Sequence, residues 1–313
     1  MNSLKNLSLI SFSILWYSGL VQAQQEPMYT HYMNNTLSIN SGYAGTRDVI
    51  TATLLNRSQW VGFEGAPTTQ TFTIHGPIKS EKIGLGFSFV HDKIGPSNYT
   101  SANIDLSYIL NLNSKSKLSF GMKTGVNAKQ ANLASLDLDN PVDVAFQNNI
   151  NSKLLPNFGF GSYYYRKRFY LGVSIPRLLE NDFNNNKTIG KTGLTNEQRH
   201  YFLISGAMLK LSENMDFKPT TFVKFTSGAP LVVDLTASFI LKKKLLLGTM
   251  FRTGDAVGAL LGYDFTEQFH IGYSFDWSYG LKTSRYNNGT HEIMLCYDFI
   301  IFDRGRIRSP RYF

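Results

Sequence analysis

From about Asp48 almost to its end, the chain repeats a short alternation of apolar and polar positions. In 83–90, Ile83, Leu85, Phe87 and Phe89 oppose Gly84, Gly86 and Ser88. In 230–241, Leu231, Val233, Leu235, Ala237, Phe239 and Leu241 oppose Asp234, Thr236 and Ser238. In 269–278, Phe269, Ile271, Tyr273, Phe275 and Trp277 oppose His270, Gly272, Ser274 and Asp276. Side chains of a strand point alternately to its two faces, so each segment reads as a strand with one apolar face and one small or polar face. The same reasoning predicts about fourteen strands, an even number as in bacterial membrane barrels. They fall at 48–58, 68–75, 83–90, 99–112, 118–131, 156–165, 169–176, 200–211, 216–226, 230–241, 245–252, 256–265, 269–278 and 290–299.

The breaks between strands alternate between tight charged turns and longer Gly/Asn/Pro-rich loops. That rhythm predicts an all-β, transmembrane outer-membrane antiparallel β-barrel with short periplasmic turns and longer outer loops. A soluble sandwich would bury the apolar faces in a core, and alternation alone leaves that choice open. Three features favour lipid. Aromatics such as Trp277, Tyr263 and Phe265 stand near strand ends, as an interfacial girdle requires. The breaks alternate in length. The strands are mostly about ten residues long, suited to a tilted membrane strand. No blade-length repeat supports a propeller.

Residues 1–23 read as a secretory signal: Lys5 gives a positive start, Leu7 to Leu20 is largely apolar, and Val21-Gln22-Ala23 is a small-residue cleavage site. Residue 24 is Gln, which offers no thiol for lipidation. The expected organisation is a signal over 1–23, a periplasmic or lumen-plugging segment over 24–47, the barrel over 48–299, and a basic periplasmic tail over 300–313. Both termini of the mature chain are expected in the periplasm. With Cys296 as the single cysteine among 313 residues, no intramolecular disulfide is possible. Closure of the barrel, which gives every strand two hydrogen-bonded neighbours, must supply stability instead.

The formal charge of +9 is unevenly spread. The turns assigned to the periplasm carry Lys79-Ser80-Glu81-Lys82, Arg166-Lys167-Arg168 and Lys242-Lys243-Lys244, and the tail adds Arg304, Arg306, Arg308 and Arg311. The longer loops mix signs and nearly cancel. A basic rim attracts anionic lipid headgroups, at about 1 kcal/mol per surface Lys or Arg. It equally suits an acidic periplasmic partner, which makes Lys242, Lys243, Lys244, Arg304, Arg306 and Arg308 candidate docking residues. Nucleic acid is excluded by the compartment and by the lack of any binding motif.

Particular stretches are familiar. Gln25-Glu26-Pro27-Met28-Tyr29-Thr30-His31-Tyr32-Met33 leads to Asn40-Ser41-Gly42-Tyr43-Ala44-Gly45, and Asn56-Arg57-Ser58-Gln59-Trp60-Val61-Gly62-Phe63-Glu64-Gly65-Ala66-Pro67-Thr68-Thr69-Gln70-Thr71 follows. Lys82-Ile83-Gly84-Leu85-Gly86, His91-Asp92-Lys93-Ile94-Gly95-Pro96, Tyr170 to Pro176 and the closing Ser309-Pro310-Arg311-Tyr312-Phe313 complete the pattern. Together these resemble the PorP/SprF family of type IX secretion system membrane proteins from Bacteroidetes. The resemblance implies a barrel that works with secreted substrates, including large gliding adhesins with a family-specific C-terminal domain, and with periplasmic ring components of the secretion machine. Glu26 stands where Asp is more usual, and Asn35-Thr36 where Asn-Pro is common.

Trp60 and Phe63 fall in the first outer loop, among Gly62, Gly65 and Pro67, which shape its turns. Exposed, these aromatics are candidate anchors for a protein substrate; the alternatives are an aromatic belt or a loop folded into the lumen. The sequence carries no HExxH, CxxC, phosphate loop or GxSxG. His270, Asp276, Asp234, Asp264, Glu292 and Asp298 are placed to face the lumen, but form no recognisable nucleophile and base. Asp92-Lys93 reads as a solvated turn, and Asp137-Leu138-Asp139 offers too few oxygens for calcium. No catalytic residue, cofactor or metal is expected. The expected function is a non-enzymatic barrel that receives or anchors a secreted surface adhesin, with a porin or small-molecule transporter as the alternative.

Overall fold

The computed structural model describes residues 27–78, 82–136, 149–151, 154–183, 197–279 and 287–300. Among these, sixteen extended segments join one antiparallel sheet. Two are two-residue ladders, Ile150–Asn151 and Leu209–Lys210. The other fourteen form a closed wall. They are β1 (Ile50–Ser58), β2 (Thr68–Pro77), β3 (Ile83–Ile94), β4 (Ser97–Asn113), β5 (Ser116–Ala131), β6 (Leu155–Arg166) and β7 (Phe169–Ile175), followed by β8 (His200–Ala207), β9 (Met215–Thr226), β10 (Val232–Leu241), β11 (Leu245–Arg252), β12 (Ala256–Asp264), β13 (Phe269–Ser278) and β14 (Thr290–Phe299). Each strand pairs with its chain neighbours. β1 closes the ring on β14, in a register from Ile50↔Phe299 to Ser58↔His291.

The predicted strands coincide with these fourteen to within a few residues, because alternation of side chains is a direct consequence of the pleat. The outward face is apolar round the wall: Leu54, Phe87, Leu106, Met122, Phe160, Leu203, Leu235, Phe251, Leu261 and Leu295 are all exposed. Trp277 is 65% exposed near one rim and Phe265 is 55% exposed at the other. A soluble monomer rarely shows a contiguous apolar patch above a few hundred Å²; a band that encircles the molecule belongs in lipid. No helix among the described residues is long and apolar enough to cross a membrane. The strands do so, and closure leaves no sheet edge unpaired in hydrocarbon.

The two rims differ. One, here the turn rim, holds the described connecting residues 78, 82, 114–115, 167–168, 208–214, 242–244 and 265–268. The loop rim holds the described residues 59–67, 95–96, 132–136, 149–151, 154, 176–183, 197–199, 227–231, 253–255, 279 and 287–289. The expected alternation of short and long breaks fails at 95–96 and 253–255. There β3 and β4 run on past their predicted ends, pairing Lys93 with Asn98 and Ile94 with Ser97, and Gly95 closes the hairpin at φ +53°. Asp92 and Lys93 therefore belong to a strand and not to a solvated turn. Asp92 is buried on the lumen face of β3, where it accepts a hydrogen bond from Thr69 of β2.

Candidate functional site: the lumen segment and the loop rim

Residues 27–49 occupy the interior of the barrel. Met28, Tyr29, Tyr32, Met33, Leu37, Ile39, Tyr43 and Ala44 are buried and form one apolar cluster with the lumen-facing Tyr163, Tyr170, Phe202, Ile204, Phe222, Leu260 and Met294. The segment contains one turn of α-helix, Thr36–Ile39, and a 3-10 turn, Ser41–Tyr43, which Asn40 caps by accepting from the Gly42 N–H at 2.8 Å. Its short polar side chains bond to the wall. Asn35 Nδ2 donates to Thr71 Oγ1 at 3.0 Å while its Oδ1 accepts from Thr73 Oγ1 at 3.0 Å, so one amide spans two inward positions of β2. Asn40 Nδ2 donates to the carbonyls of Ser162 and Val173 on β6 and β7.

The inward glycines make room for this chain. A Cβ on Gly121 of β5 would lie 2.3 Å from the Ser41 carbonyl, one on Gly84 of β3 would lie 2.2 Å from the Ala44 oxygen, and one on Gly161 of β6 would lie 2.2 Å from Asn40 Oδ1. No real Cβ approaches so closely, so the polar face is small because backbone lies against it.

Four groups of buried charges tie the segment to the wall at different depths. Toward the loop rim, Arg57 of β1 pairs with Asp276 of β13 at 2.8 Å and with Glu292 of β14 at 3.1 Å. Thr30 completes this group: its N–H donates to Glu292 Oε2 at 2.9 Å, and its hydroxyl donates to Asp276 Oδ2 at 2.7 Å. The His31 N–H and Nδ1 both reach Glu292 Oε1, at 2.7 and 2.8 Å. Nearby, Arg252 grips Asp234 by Nε at 2.9 Å and Nη2 at 2.8 Å, and also donates to the Tyr29 carbonyl at 3.4 Å. At mid-height Lys123 pairs with Asp105 at 3.0 Å and donates to the Leu37 carbonyl at 3.3 Å. Toward the turn rim Arg47 pairs with Asp298 at 2.8 Å, and Thr51 donates to the other Asp298 oxygen at 2.8 Å. Burial pushes the nearby Tyr43 hydroxyl up to about 12, so it stays neutral.

These contacts set a direction. Tyr29 and Thr30 lie beside Arg57, Arg252 and Asp276, each at or within two residues of the loop-rim end of its strand. Ala44 and Gly45 lie against Gly84, Gly76 and His75 near the opposite rim. The segment thus descends the lumen from loop rim to turn rim, where it enters β1. Its first described residues lie at the loop-rim level.

The loop rim also reaches inward. Glu197, in the connection between β7 and β8, is buried and accepts from Asn127 Nδ2 of β5 at 2.8 Å and Asn157 Nδ2 of β6 at 2.9 Å. Arg177 pairs with Glu197 at 3.1 Å, bonds to the Tyr99 hydroxyl and stacks over the Tyr99 ring at 4.8 Å. The described ends of this long connection are therefore held against the wall.

The residues singled out from the sequence stand at opposite ends. Trp60 is half-buried at φ +46°, and its backbone N–H donates to Thr290 Oγ1 at 3.2 Å. Phe63 is 45% exposed. Their loop is laced to its neighbours: Val61 N–H donates to the Gly289 carbonyl at 2.9 Å, Asn288 N–H to the Val61 carbonyl at 2.8 Å, and Gly95 N–H to the Gly65 carbonyl at 2.8 Å. Val61, Phe63 and Glu64 are exposed. Lys242, Lys243 and Lys244 are exposed on the turn rim. Arg304, Arg306 and Arg308 lie outside the described residues, as do the signal and the middle parts of the two long loops.

The lumen carboxylates Asp234, Asp276, Glu292 and Asp298 are buried in ion pairs, and His270 bonds Asp264 at 2.7 Å. No group of three metal-ligating side chains converges among the described residues. Sequence reasoning missed the cations that answer these acids. Arg57, Lys123 and Arg252 each stand in phase with the small or polar face of a membrane strand, and an isolated charge there is the signal of an internal partner.

A family model described as type IX secretion system membrane protein PorP/SprF matches residues 21–297. The chain belongs to the PorP/SprF family. It is an outer-membrane β-barrel of type IX secretion. No curated protein matches it in sequence. Among solved structures it is similar to the outer membrane protein Omp33 of Acinetobacter baumannii, at 10% identity and TM-score 0.47 over 82% of this chain and 100% of that one. It is also similar to the KdgM porin, at 11% identity and TM-score 0.36 over 80% and 99% of the two chains. CdiB from Acinetobacter baumannii matches at 8% identity and TM-score 0.41 over 81% of this chain and 60% of its own.

Proposed function

We propose that this member of the family is a plugged, non-enzymatic barrel that receives or anchors a secreted surface adhesin through the adhesin's C-terminal domain. The observation that carries this reading is the filled lumen: residues 27–49 are bonded to inward side chains near the loop rim, at mid-height and near the turn rim, through four groups of buried charges. A porin needs an open aqueous path, and a segment bonded along the lumen supports a plugged barrel instead. Function then falls to the exposed rims, with the lipid-facing wall holding the barrel in the outer membrane.

In this reading the signal over 1–23 is removed, the loop rim faces the cell surface, and Phe63 and Trp60 anchor the substrate. Gly62 and Gly65, at φ +91° and +72°, shape a loop whose cross-links to 288–289 and Gly95 hold it ready, so little ordering accompanies binding. The basic turn rim, with Lys242 to Lys244 and the tail arginines, meets the acidic face of periplasmic ring components. Replacing both Trp60 and Phe63 by Ala is expected to leave the heat-modifiable barrel intact and to reduce copurification of the surface protein by about thirtyfold, as loss of a hot spot of ~2 kcal/mol implies. Charge reversal at Lys242–Lys244 is expected to weaken periplasmic contacts alone. Full substrate retention in the loop variant, with loss in the turn-rim variant, would place the binding site on the other side of the membrane.

A further inference from the structure

Every neighbouring pair of wall strands is joined by a chain connection at one rim, except β1 and β14, which meet only because the ring closes. Their seam is an antiparallel ladder from Ile50↔Phe299 to Ser58↔His291. Arg57↔Glu292 lies near its loop-rim end, Leu55↔Met294 in its middle and Thr51↔Asp298 near its turn-rim end. The side chains of all these pairs are buried on the lumen face.

The lumen segment reaches the seam at each of these levels. At the loop-rim end the Thr30 and His31 N–H groups both donate to Glu292, and the Thr30 hydroxyl accepts from Arg57 Nη1 at 3.0 Å. In the middle, Leu55 and Met294 belong to one apolar cluster with Met28, Tyr29, Tyr32 and Met33. At the turn-rim end Arg47 Nη2 donates to one Asp298 oxygen at 2.8 Å, while Thr51, across the seam, donates to the other at 2.8 Å. The Lys123–Asp105 pair also touches the segment, through the Leu37 carbonyl, but it joins β5 to β4, which are consecutive in the chain. Strands that part in a membrane wall bare N–H and C=O groups, which hydrocarbon cannot satisfy and only lumen water can. The seated segment occupies that side, so it both bonds the seam and keeps solvent from it.

We propose that the lumen segment is a latch on the wall. Seated, it holds the β1–β14 seam shut; unseated, it lets this pair part before any other, which opens the lumen sideways to the bilayer. The latch concerns the wall and does not depend on the substrate reading above.

Hydrogen exchange of the full chain in lipid nanodiscs, read peptide by peptide by mass spectrometry, tests it. Thr30→Val with His31→Leu is expected to speed exchange at 56–58 and 291–293 by about tenfold or more, as loss of a hydrogen bond to a charged group implies for local opening. Arg47→Met is expected to do the same at 51–53 and 296–298. Exchange in β4 and β5 should match the parent in both variants. Lys123→Met, which breaks a buried contact with the segment away from the seam, should leave β1 and β14 protected. Parent-like exchange at the seam in either latch variant, an equal rise in β4 and β5, or a Lys123→Met barrel that frees the seam as much, overturns the latch. Should the double variant fail to give a heat-modifiable barrel, His31→Leu alone is read at the same peptides.

Discussion

Arg57 ties three strands and the lumen segment together near the loop rim. It is buried, and its guanidinium holds two carboxylates from two other strands as well as the Thr30 hydroxyl of the lumen segment. Removing one partner of such a group leaves charge uncompensated in a low-dielectric interior. Arg57→Met is expected to lower the unfolding free energy by about 3–5 kcal/mol, read by denaturant titration of the barrel in lipid vesicles. A loss below ~1 kcal/mol would mean that water reaches Asp276 and Glu292 and that the upper lumen is wetter than the geometry indicates. This arginine was visible in the sequence inside the Asn56–Thr71 stretch of the family resemblance, and it is in phase with Thr51 and Thr53. Its partners were not visible, because Asp276 and Glu292 lie more than 200 positions away and meet it only when β1 closes on β14.

At the scale of elements, the strands and the lumen segment follow different rules. A strand announces itself, because alternation is local and lipid demands it of every wall segment. The lumen segment has no such period. Asn34, Asn35, Asn40 and Gly42 mark it only as something other than a strand, and its path down the lumen depends on glycines in β3, β5 and β6. Two ways of displacing it make one prediction. Deleting Gln25 to Ala44 is expected to raise single-channel conductance in planar bilayers. Gly121→Val, which drives side-chain atoms into the Ser41 carbonyl, is expected to raise it in part while the barrel stays closed. Conductance equal to the parent in both variants would show that something other than residues 27–49 blocks the pore. The β7–β8 connection is the next obstacle in line, through Glu197 and its partners on β4, β5 and β6.

At the scale of the whole molecule the question is which rim faces the cell surface. The turn rim is short and basic, and the loop rim carries the long connections; in outer-membrane barrels the longer loops lie outside. Glu64 is exposed on the loop rim and Lys243 on the turn rim, while the native Cys296 is buried. Glu64→Cys is expected to react with a membrane-impermeant maleimide on intact cells. Lys243→Cys should react only after the outer membrane is opened. The reverse pattern would invert the barrel, and would put the proposed adhesin contact on the periplasmic side.

The sequence by itself determined the class of fold, the number and positions of the strands, and which face of each strand meets lipid. Each of these is set by near neighbours in the chain and by a solvent that tolerates no unpaired backbone. It also supplied the resemblance that the family match bears out. Tertiary structure alone decided that Asp92 belongs to a strand, that the inward glycines are small to admit a second chain segment, and that the lumen acids answer Arg47, Arg57, Lys123 and Arg252. It alone decided, too, that the segment before β1 runs from loop rim to turn rim. These are contacts between residues tens to hundreds of positions apart. A pattern of period two states which face a side chain occupies, but not what stands opposite once the ring has closed.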